Sequence, residues 1–221
     1  MIEAVKTAGV GHVVYTSLLN ADKTGIPFAP EHTATEAAIK ELVDNAWDAD
    51  SAQLKITMPE PFAKAEIIIE DNGSGMTEKE IRNEYLFIAR SRTSRKGEIT
   101  PLKKRKVKGR KGIGKFSGLM VAEVMILETI ASGTKTRLEI NKTKLAEAEY
   151  DLEKVDLPIT VEESDKNKHG TTITLKGINQ NLHYPNPDRL KQILVWDYGR
   201  ETDFEIIVNG EKVGVLDLQG Q

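Results

Sequence analysis

The 221-residue chain contains no cysteine, which excludes disulfides and thiolate chemistry. Its four histidines, His12, His32, His169 and His183, are scattered without metal-ligand spacing. No apolar run approaches the roughly 20 residues that a membrane helix needs, and no signal-peptide pattern opens the chain. The expectation is a cytoplasmic protein with no membrane association. Internal repeats are absent, as are low-complexity tracts apart from one basic segment. What is present is ordinary for a soluble globular protein: 39% hydrophobic and 29% charged residues, enough for one sizeable core.

The net charge of −3 conceals an asymmetry. Between Arg90 and Lys115 stand twelve Lys or Arg against one acid, Glu98, which puts that segment at +11 and the rest of the chain at −14. Blocks of like charge read as mobile, solvated segments, or as segments that meet an anion.

Glycines and prolines at Gly9, Gly11, Gly25, Pro27 and Pro30 break the first thirty residues into an irregular arm, 1–32, ahead of a domain at 33–221. From about Thr33 to Asp50 the pattern is helical, and Ala38, Ile39, Leu42, Val43, Ala46 and Ala49 form one apolar arc. Glu41, Asn45 and Asp48 form a polar stripe along its border, which periodicity alone reads as a solvated helix edge. Strands at Gln53–Thr57 and 65–70 follow, the second running into Asp71-Asn72-Gly73-Ser74-Gly75. A capping-box pattern at Thr77 and Glu80 opens a helix to about Ala89. The basic segment then leads to Gly109-Arg110-Lys111-Gly112-Ile113-Gly114-Lys115-Phe116, with a helix expected directly behind it, to about Glu123. Such a loop aims unpaired N–H groups and a positive helix end at one point, as a polyphosphate requires. The remainder is strand-rich: hairpin strands at 124–130 and 136–140, strands at 159–163 and 171–175, a helix from Pro185 to about Trp196, and a hairpin at 204–216.

Each motif is weak singly, but their order and spacing are specific. The helix Glu41-x-x-x-Asn45-Ala-x-Asp48-Ala, the strand-terminal Asp71-x-Gly73-x-Gly75-Met76, the Gly109-x-x-Gly112-x-Gly114 loop and the late His169-Gly170-Thr171-Thr172 together resemble the GHKL ATPase superfamily. This is the Bergerat-fold group of gyrase B, heat-shock chaperone, histidine kinase and MutL ATPase domains. The resemblance runs from about Glu36 to Leu175 and touches all four of the family's sequence boxes.

The resemblance implies an α+β fold, a two-layer sandwich of a mixed, mainly antiparallel sheet with helices on one face. It implies ATP and Mg²⁺ as cofactors, with ATP and ADP as ligands. Asn45 matches the magnesium ligand, a hard amide oxygen suited to a cation that bridges phosphates. Glu41 matches the general base for the attacking water. Asp71 matches the carboxylate that accepts from the adenine amino group, with Gly73 and Gly75 admitting close backbone approach and Met76 packing on the base. Thr171 resembles the hydroxyl that supports Asp71. Gly109, Gly112, Ile113, Gly114, Lys115 and Phe116 match the phosphate loop, Asp48 a supporting position, and residues 76–111 the ATP lid. A carboxylate at Glu41, where histidine kinases usually carry an amide, favours hydrolysis over kinase activity.

Three uses of such a module stay open at this point. One is an ATP-driven conformational switch that pairs two modules into a dimer, belonging to a longer protein and hydrolysing slowly alone. Another is a nucleic-acid-acting module that sets the basic segment on DNA. The third is the ATPase module of a protein chaperone.

Overall fold

A computed structural model describes residues 30–59, 66–86, 97–109, 114–147 and 157–214. Of the expected N-terminal arm, 1–32, residues 1–29 lie outside the described residues, as do the lid and loop positions 87–96 and 110–113, while 30–32 belong to the first helix, which begins three residues earlier than the expected Thr33.

Helix α1, Pro30–Asp48, carries the predicted apolar arc, with Ala38, Ile39, Leu42, Val43 and Ala46 all buried. It ends in a Schellman turn, in which Asp50 N–H donates to the Trp47 carbonyl (3.1 Å) and Ser51 N–H to the Ala46 carbonyl (3.2 Å). The left-handed position falls to Asp50, φ +59°, a residue type that tolerates it. Strands β1, Gln53–Thr57, and β2, Ile67–Asp71, follow. Thr77 and Glu80 form the predicted capping box at the start of a single turn, α2, Glu78–Glu80. A π-helical turn, Ile81–Tyr85, continues it in place of a regular helix.

A 3₁₀ turn, Gly114–Phe116, leads into α3, Gly118–Val121. The helix expected to reach about Glu123 stops here because the Val121 carbonyl is taken by the Asn179 N–H (2.9 Å) and the Tyr184 hydroxyl (2.7 Å). Strand β3 therefore begins earlier than expected, at Ala122, and runs to Ala131. A hairpin with Ser132 and Gly133 at positive φ joins it to β4, Thr134–Asn141. Then come α4, Lys142–Glu147, which periodicity did not suggest, β5, Ile159–Glu163, and β6, Gly170–Ile178. Helix α5, Pro187–Tyr198, is capped by the Asn186 side chain, and β7, Glu205–Val208, pairs with β8, Glu211–Lys212.

The eight strands form one sheet in the order β5-β4-β3-β6-β2-β1-β7-β8, antiparallel throughout except for the β1–β7 pair. Burial alternates along the central strands, so one face is covered by helices and the other meets solvent. This is the two-layer α+β sandwich expected. The register stacks the covered face in rows: Ile67, Leu175, Met125 and Ile140 in one, Ile69, Ile173, Leu127 and Leu138 in the next. The third row is polar: Asp71, Thr171, Thr129 and Thr136. An otherwise apolar face thus ends in a carboxylate and three hydroxyls.

Residues 97–109, from the basic segment, are anchored at Thr100, Arg105 and Val107, which are buried, while Ile99, Leu102, Lys104 and Lys106 are exposed. Ile99 and Lys106 form a bridge, closed by the Thr100 N–H to Arg105 carbonyl and Val107 N–H to Glu98 carbonyl bonds. Arg105 is 6% exposed and lies over the Trp47 ring, 4.3 Å from its centroid. Its guanidinium donates to the Ser51 carbonyl (2.7 Å), the Asp203 carbonyl (2.6 Å) and the Asp203 carboxylate (3.0 Å). Asp50 accepts from the Leu102 (2.8 Å) and Lys103 (3.1 Å) amides. Burial works to raise the Asp50 pKa, but these bonds, one from Thr100 and the Arg105 charge outweigh it and hold the carboxyl below its ordinary value.

Arg105→Met, which keeps bulk but strands Asp203 and two carbonyls, is expected to cost about 2–3 kcal/mol, with Tm falling by roughly 5–10 °C in thermal melts. Arg105→Lys should recover little of this, because an ammonium cannot span three acceptors in one plane. Because the Asp50 pKa is depressed by folding, its contribution is fully present above its unfolded pKa of about 4 and is lost as pH falls through the folded value. Asp50→Asn should therefore remove part of the acid sensitivity of unfolding below pH 4, measured by denaturant titration across pH.

Candidate functional site

A cavity of about 790 Å³ opens between α1 and the polar end of the sheet. Its size suits a nucleotide-scale ligand. The sheet contributes Asp71 at the end of β2 and Thr171 of β6, directly opposite in register. The Asp71 carboxylate accepts from the Gly73 N–H at 2.7 Å, and its surroundings include the Thr171 amide and His169. Burial pushes the Asp71 pKa up to about 7, against the lowering effect of those two amides and of His169. Among the described residues no Lys or Arg pairs with it. It is an underused acceptor facing a cavity.

The turn after Asp71 is held from several sides. Asn72 Oδ1 accepts from the Ala52 and Gln53 amides, both at 2.8 Å, and Ser74 N–H donates to the Ala49 carbonyl at 2.8 Å. The Gly73 carbonyl meets His169 Nδ1 at 2.7 Å. Gly75 has φ +65°, and a Cβ there would overlap the Ile130 carbonyl, so no other residue fits without moving β3. Met76 lines the cavity, its N–H donating to Thr129 Oγ1 at 2.8 Å. The Thr129 hydroxyl donates to the Gly170 carbonyl (3.1 Å) and contacts Thr171 Oγ1 (3.2 Å). Thr129 therefore ties the Met76 turn to the strand bearing Thr171.

Across the cavity, α1 presents its polar stripe. Glu41, Asn45 and Asp48 all line it, with Ala49 and Leu42 beside them. Glu41 lies against Gly114, where a Cβ would overlap Glu41 Oε2. Asn45 Oδ1 stands 3.9 Å from the position of a Cβ on Gly109. Asp48, 1% exposed, accepts from two successive amides, Lys108 to Oδ1 and Gly109 to Oδ2, both at 2.9 Å.

The glycine-rich stretch is seen from both sides. Gly109, Gly114 and Lys115 line the cavity, whereas Gly112 and Ile113 lie outside the described residues. The Tyr85 hydroxyl donates to the Lys115 carbonyl at 2.9 Å, and Lys115 Nζ to the Glu84 carbonyl at 3.2 Å. Phe116, 4% exposed, does not line the cavity but packs edge-on against Tyr85, centroids 5.5 Å apart. Gly73 likewise stays behind the lining, a Cβ on it falling 2.7 Å from the Ala49 carbonyl.

Asn45 is the hard oxygen donor the stripe offers a cation, and no cluster of three or more His, Asp or Glu among the described residues is arranged to hold a metal alone. The described lining carries six carboxylates, Glu41, Asp48, Asp50, Asp71, Glu80 and Glu84, against Lys108 and Lys115. Such a lining would suit a polyphosphate whose charge is offset by a divalent cation, for which Asn45 would be the amide-oxygen donor. The donor set fits Mg²⁺ in that role.

Several residues that matter here escape motif reading. Thr129 has a signal in hindsight: it is the one hydroxyl at alternate positions Met125, Leu127, Thr129 and Ala131. Tyr85 and Asn72 carry none beyond their neighbourhood. Of the basic run, Lys103 Nζ donates to the Asp203 carbonyl (2.8 Å), Arg105 is buried, and Lys108 Nζ sits 3.5 Å from the centroid of the Tyr198 ring. These three cations are spent inside the chain. No helix among the described residues is long and apolar enough to cross a membrane.

Comparison with known proteins agrees with this geometry. The family model described as histidine kinase-, DNA gyrase B- and HSP90-like ATPase matches residues 32–171. The chain is 26% identical over 178 residues to the chaperone protein HtpG of Coxiella burnetii (strain RSA 493 / Nine Mile phase I), covering 72% of this chain and 27% of that one. It is 26% identical over 209 residues to HtpG of Chlorobium phaeobacteroides (strain DSM 266 / SMG 266 / 2430), covering 84% and 31%. A putative type II restriction enzyme, HgiDII of Herpetosiphon aurantiacus, is 31% identical over 102 residues, 46% of this chain and 16% of the enzyme. The chain thus spans less than a third of the length of these relatives. With the matched region reaching from α1 to the start of β6, the protein belongs to the family of histidine kinase-, DNA gyrase B- and HSP90-like ATPases.

Proposed function

We propose that this chain is an ATP-binding module that hydrolyses ATP with Mg²⁺ and serves as the nucleotide-driven switch of a chaperone-type ATPase. The observation that carries the reading is the convergence on one cavity of the α1 stripe, Glu41 and Asn45, with Asp71 and Thr171 at the polar end of the sheet. Neither group alone implies a nucleotide. Together they supply an acceptor for an exocyclic amine at one end and a base beside a cation ligand at the other. The similarity to proteins named as chaperones over 72–84% of this chain favours protein clients over a nucleic-acid partner.

In this reading Asp71 accepts the adenine N–H, with Met76, Leu127 and Ile173 as the apolar walls around the base. The cation supplies charge neutralisation at the phosphates. Glu41 takes a proton from the attacking water as its oxygen bonds to the γ-phosphorus, and the bond to the β–γ bridging oxygen breaks to leave ADP and phosphate. Gly114 lets the Glu41 carboxylate stand close to the glycine-rich stretch. ATP-dependent pairing of two modules would link this cycle to shape change.

Glu41→Gln should lower turnover about 100- to 1000-fold while leaving ATP affinity within a few-fold, measured by phosphate release and calorimetry. Turnover at the wild-type level would remove Glu41 from the role of base. Gly114→Ala, which forces Glu41 aside, should lower turnover comparably while Asp71-dependent adenosine binding persists.

Asp71 gives a pH signature. With its free pKa raised to about 7, the accepting carboxylate is fully populated only above that pH. ATP affinity should rise as pH rises to about 7 and then level off, falling up to about tenfold per unit below it. Asp71→Asn should weaken binding about 10- to 100-fold and flatten that profile. Because folding raises this carboxyl's pKa, its ionisation destabilises the free protein above the unfolded value. The same substitution should therefore leave the free protein at least as stable at pH 8, and a large loss of Tm would contradict the assignment.

A further inference from the structure

Residues 97–109 fall within the stretch expected to form a lid, yet three residues at the C-terminal end of α1 and just beyond it fasten them. Trp47 donates its indole N–H to the Lys106 carbonyl at 3.0 Å, and Asp50 holds the Leu102 and Lys103 amides. The third fastening is Asp48, whose two carboxylate oxygens divide between the consecutive amides of Lys108 and Gly109. A charge-assisted bond to each of two successive N–H groups fixes both the position and the direction of the backbone there. The helix bearing this carboxylate also bears Asn45 three residues earlier, so the distance from Asn45 to Gly109 is set by one rigid element. A Cβ on Gly109 would come within 3.0 Å of Asp48 Oδ2, which shows how closely the backbone is drawn in. On the far side, Tyr85 and Lys115 hold the Gly114–Phe116 turn through the bonds already described.

We propose that Asp48 is a positioning residue for polyphosphate recognition: acting through the Lys108 and Gly109 amides, it fixes where the glycine-rich stretch starts relative to Asn45. It does not ligate the cation and does not touch the base. The proposal rests on the nucleotide reading above and adds a division of labour within the α1 stripe. Asn45 serves the cation, Glu41 the water, and Asp48 the backbone that faces the phosphates.

The test compares wild type, Asp48→Asn, which sets an NH₂ against one of the two amides, and Asp48→Glu, which keeps the charge but shifts it by one methylene. Adenosine and ATP affinities are measured by calorimetry, the latter with and without Mg²⁺, and hydrogen exchange is followed at individual amides. In both variants adenosine affinity should stay within about twofold while ATP affinity falls about tenfold or more, with the ratio between Mg²⁺ and Mg²⁺-free conditions unchanged. Exchange at Lys108 and Gly109 should accelerate at least about tenfold while Leu102 and Lys103, held by Asp50, keep their protection. Equal losses for adenosine and ATP would overturn the proposal, because a general loss of fold predicts that. Loss of the Mg²⁺ dependence alone would overturn it in favour of a metal role. Should Asp48→Asn not fold, Asp48→Glu carries the same comparison. Wild type that binds neither ligand would overturn the nucleotide reading itself, and unchanged exchange at Lys108 and Gly109 would separately overturn the clamp.

Discussion

A carboxylate partly buried at the end of an apolar sheet face, with no cation among the described residues to neutralise it, is the constraint on which the site depends. Asp71 follows Ile67 and Ile69 on the covered face of β2, so strand alternation alone carries it inward. Solvation is lost there, and two amides and a histidine recover only part of it. The neighbouring strands answer by placing Thr171, Thr129 and Thr136 in the same row, which turns the last rung of the core face polar. Thr136 Oγ1, buried without a hydrogen-bond partner among the described residues, shows that this rung is more polar than those residues use. The apolar rows below hold the strands in a register that leaves Asp71 no alternative position, since a one-residue slip would send every side chain to the other face.

Helix α1 works as a beam with different tasks on different sides. Its apolar arc packs on the sheet, and its Glu41–Asp48 stripe closes the cavity opposite Asp71. A third side turns to α5 and to residues 97–109. There Lys40 bridges Asp44 (3.3 Å) and Asp197 (3.0 Å), the Tyr198 hydroxyl donates to Asp44, and Trp47 packs against Tyr198, Phe204 and Arg105. Burial of the Tyr198 hydroxyl, the negative charge of Asp44 and the hydrogen bond to it push that hydroxyl well above its ordinary pKa, so it remains a donor across the usable pH range. Since 3.6 residues per turn separate these sides by fixed angles, a helix that is firmly held on two of them cannot rotate to misplace the third. The aromatic and ionic contacts of α5 therefore bear on the position of Glu41 and Asn45, although none of them touches the cavity.

Much of this is legible in the sequence. The apolar arc of α1, the Thr77–Glu80 cap, the 53–57 strand, the strand expected at 65–70 and found at Ile67–Asp71, and the 131–134 turn follow from local periodicity and local hydrogen bonding, which travel with the sequence. The convergence of Glu41, Asn45 and Asp71 became readable through a family resemblance, because helical periodicity by itself makes that stripe a wet edge. What stayed hidden depends on partners distant along the chain. The truncation of α3 at Val121 requires Asn179 and Tyr184 to be in place. The π-helical turn at Ile81–Tyr85, which carries Tyr85 to Lys115, has no local pattern announcing it. The fate of Arg105 depends on Trp47 and on Asp203, nearly a hundred positions later.

Arg105 also shows why charge density along a sequence is a poor guide to charge density in space. The segment from Arg90 to Lys115 is strongly basic, and a triphosphate is anionic, so it is natural to expect that the one neutralises the other. The described residues divide differently. Lys103 and Arg105 meet Asp203, and the Lys108 ammonium lies over the Tyr198 ring. Burial then pushes the Lys108 pKa down despite nearby Asp44 and Asp197, so its charge is the more weakly held. The described cavity wall is left with an excess of carboxylates over lysines. Bringing a bare triphosphate against that wall would add like charges at short range, in a site partly screened from water, where such repulsion is several times stronger than in bulk. A divalent cation travelling with the phosphates reverses the sign of that interaction. In the proposed reading, an acidic wall beside Asn45 would then discriminate the cation-bound nucleotide from the free one.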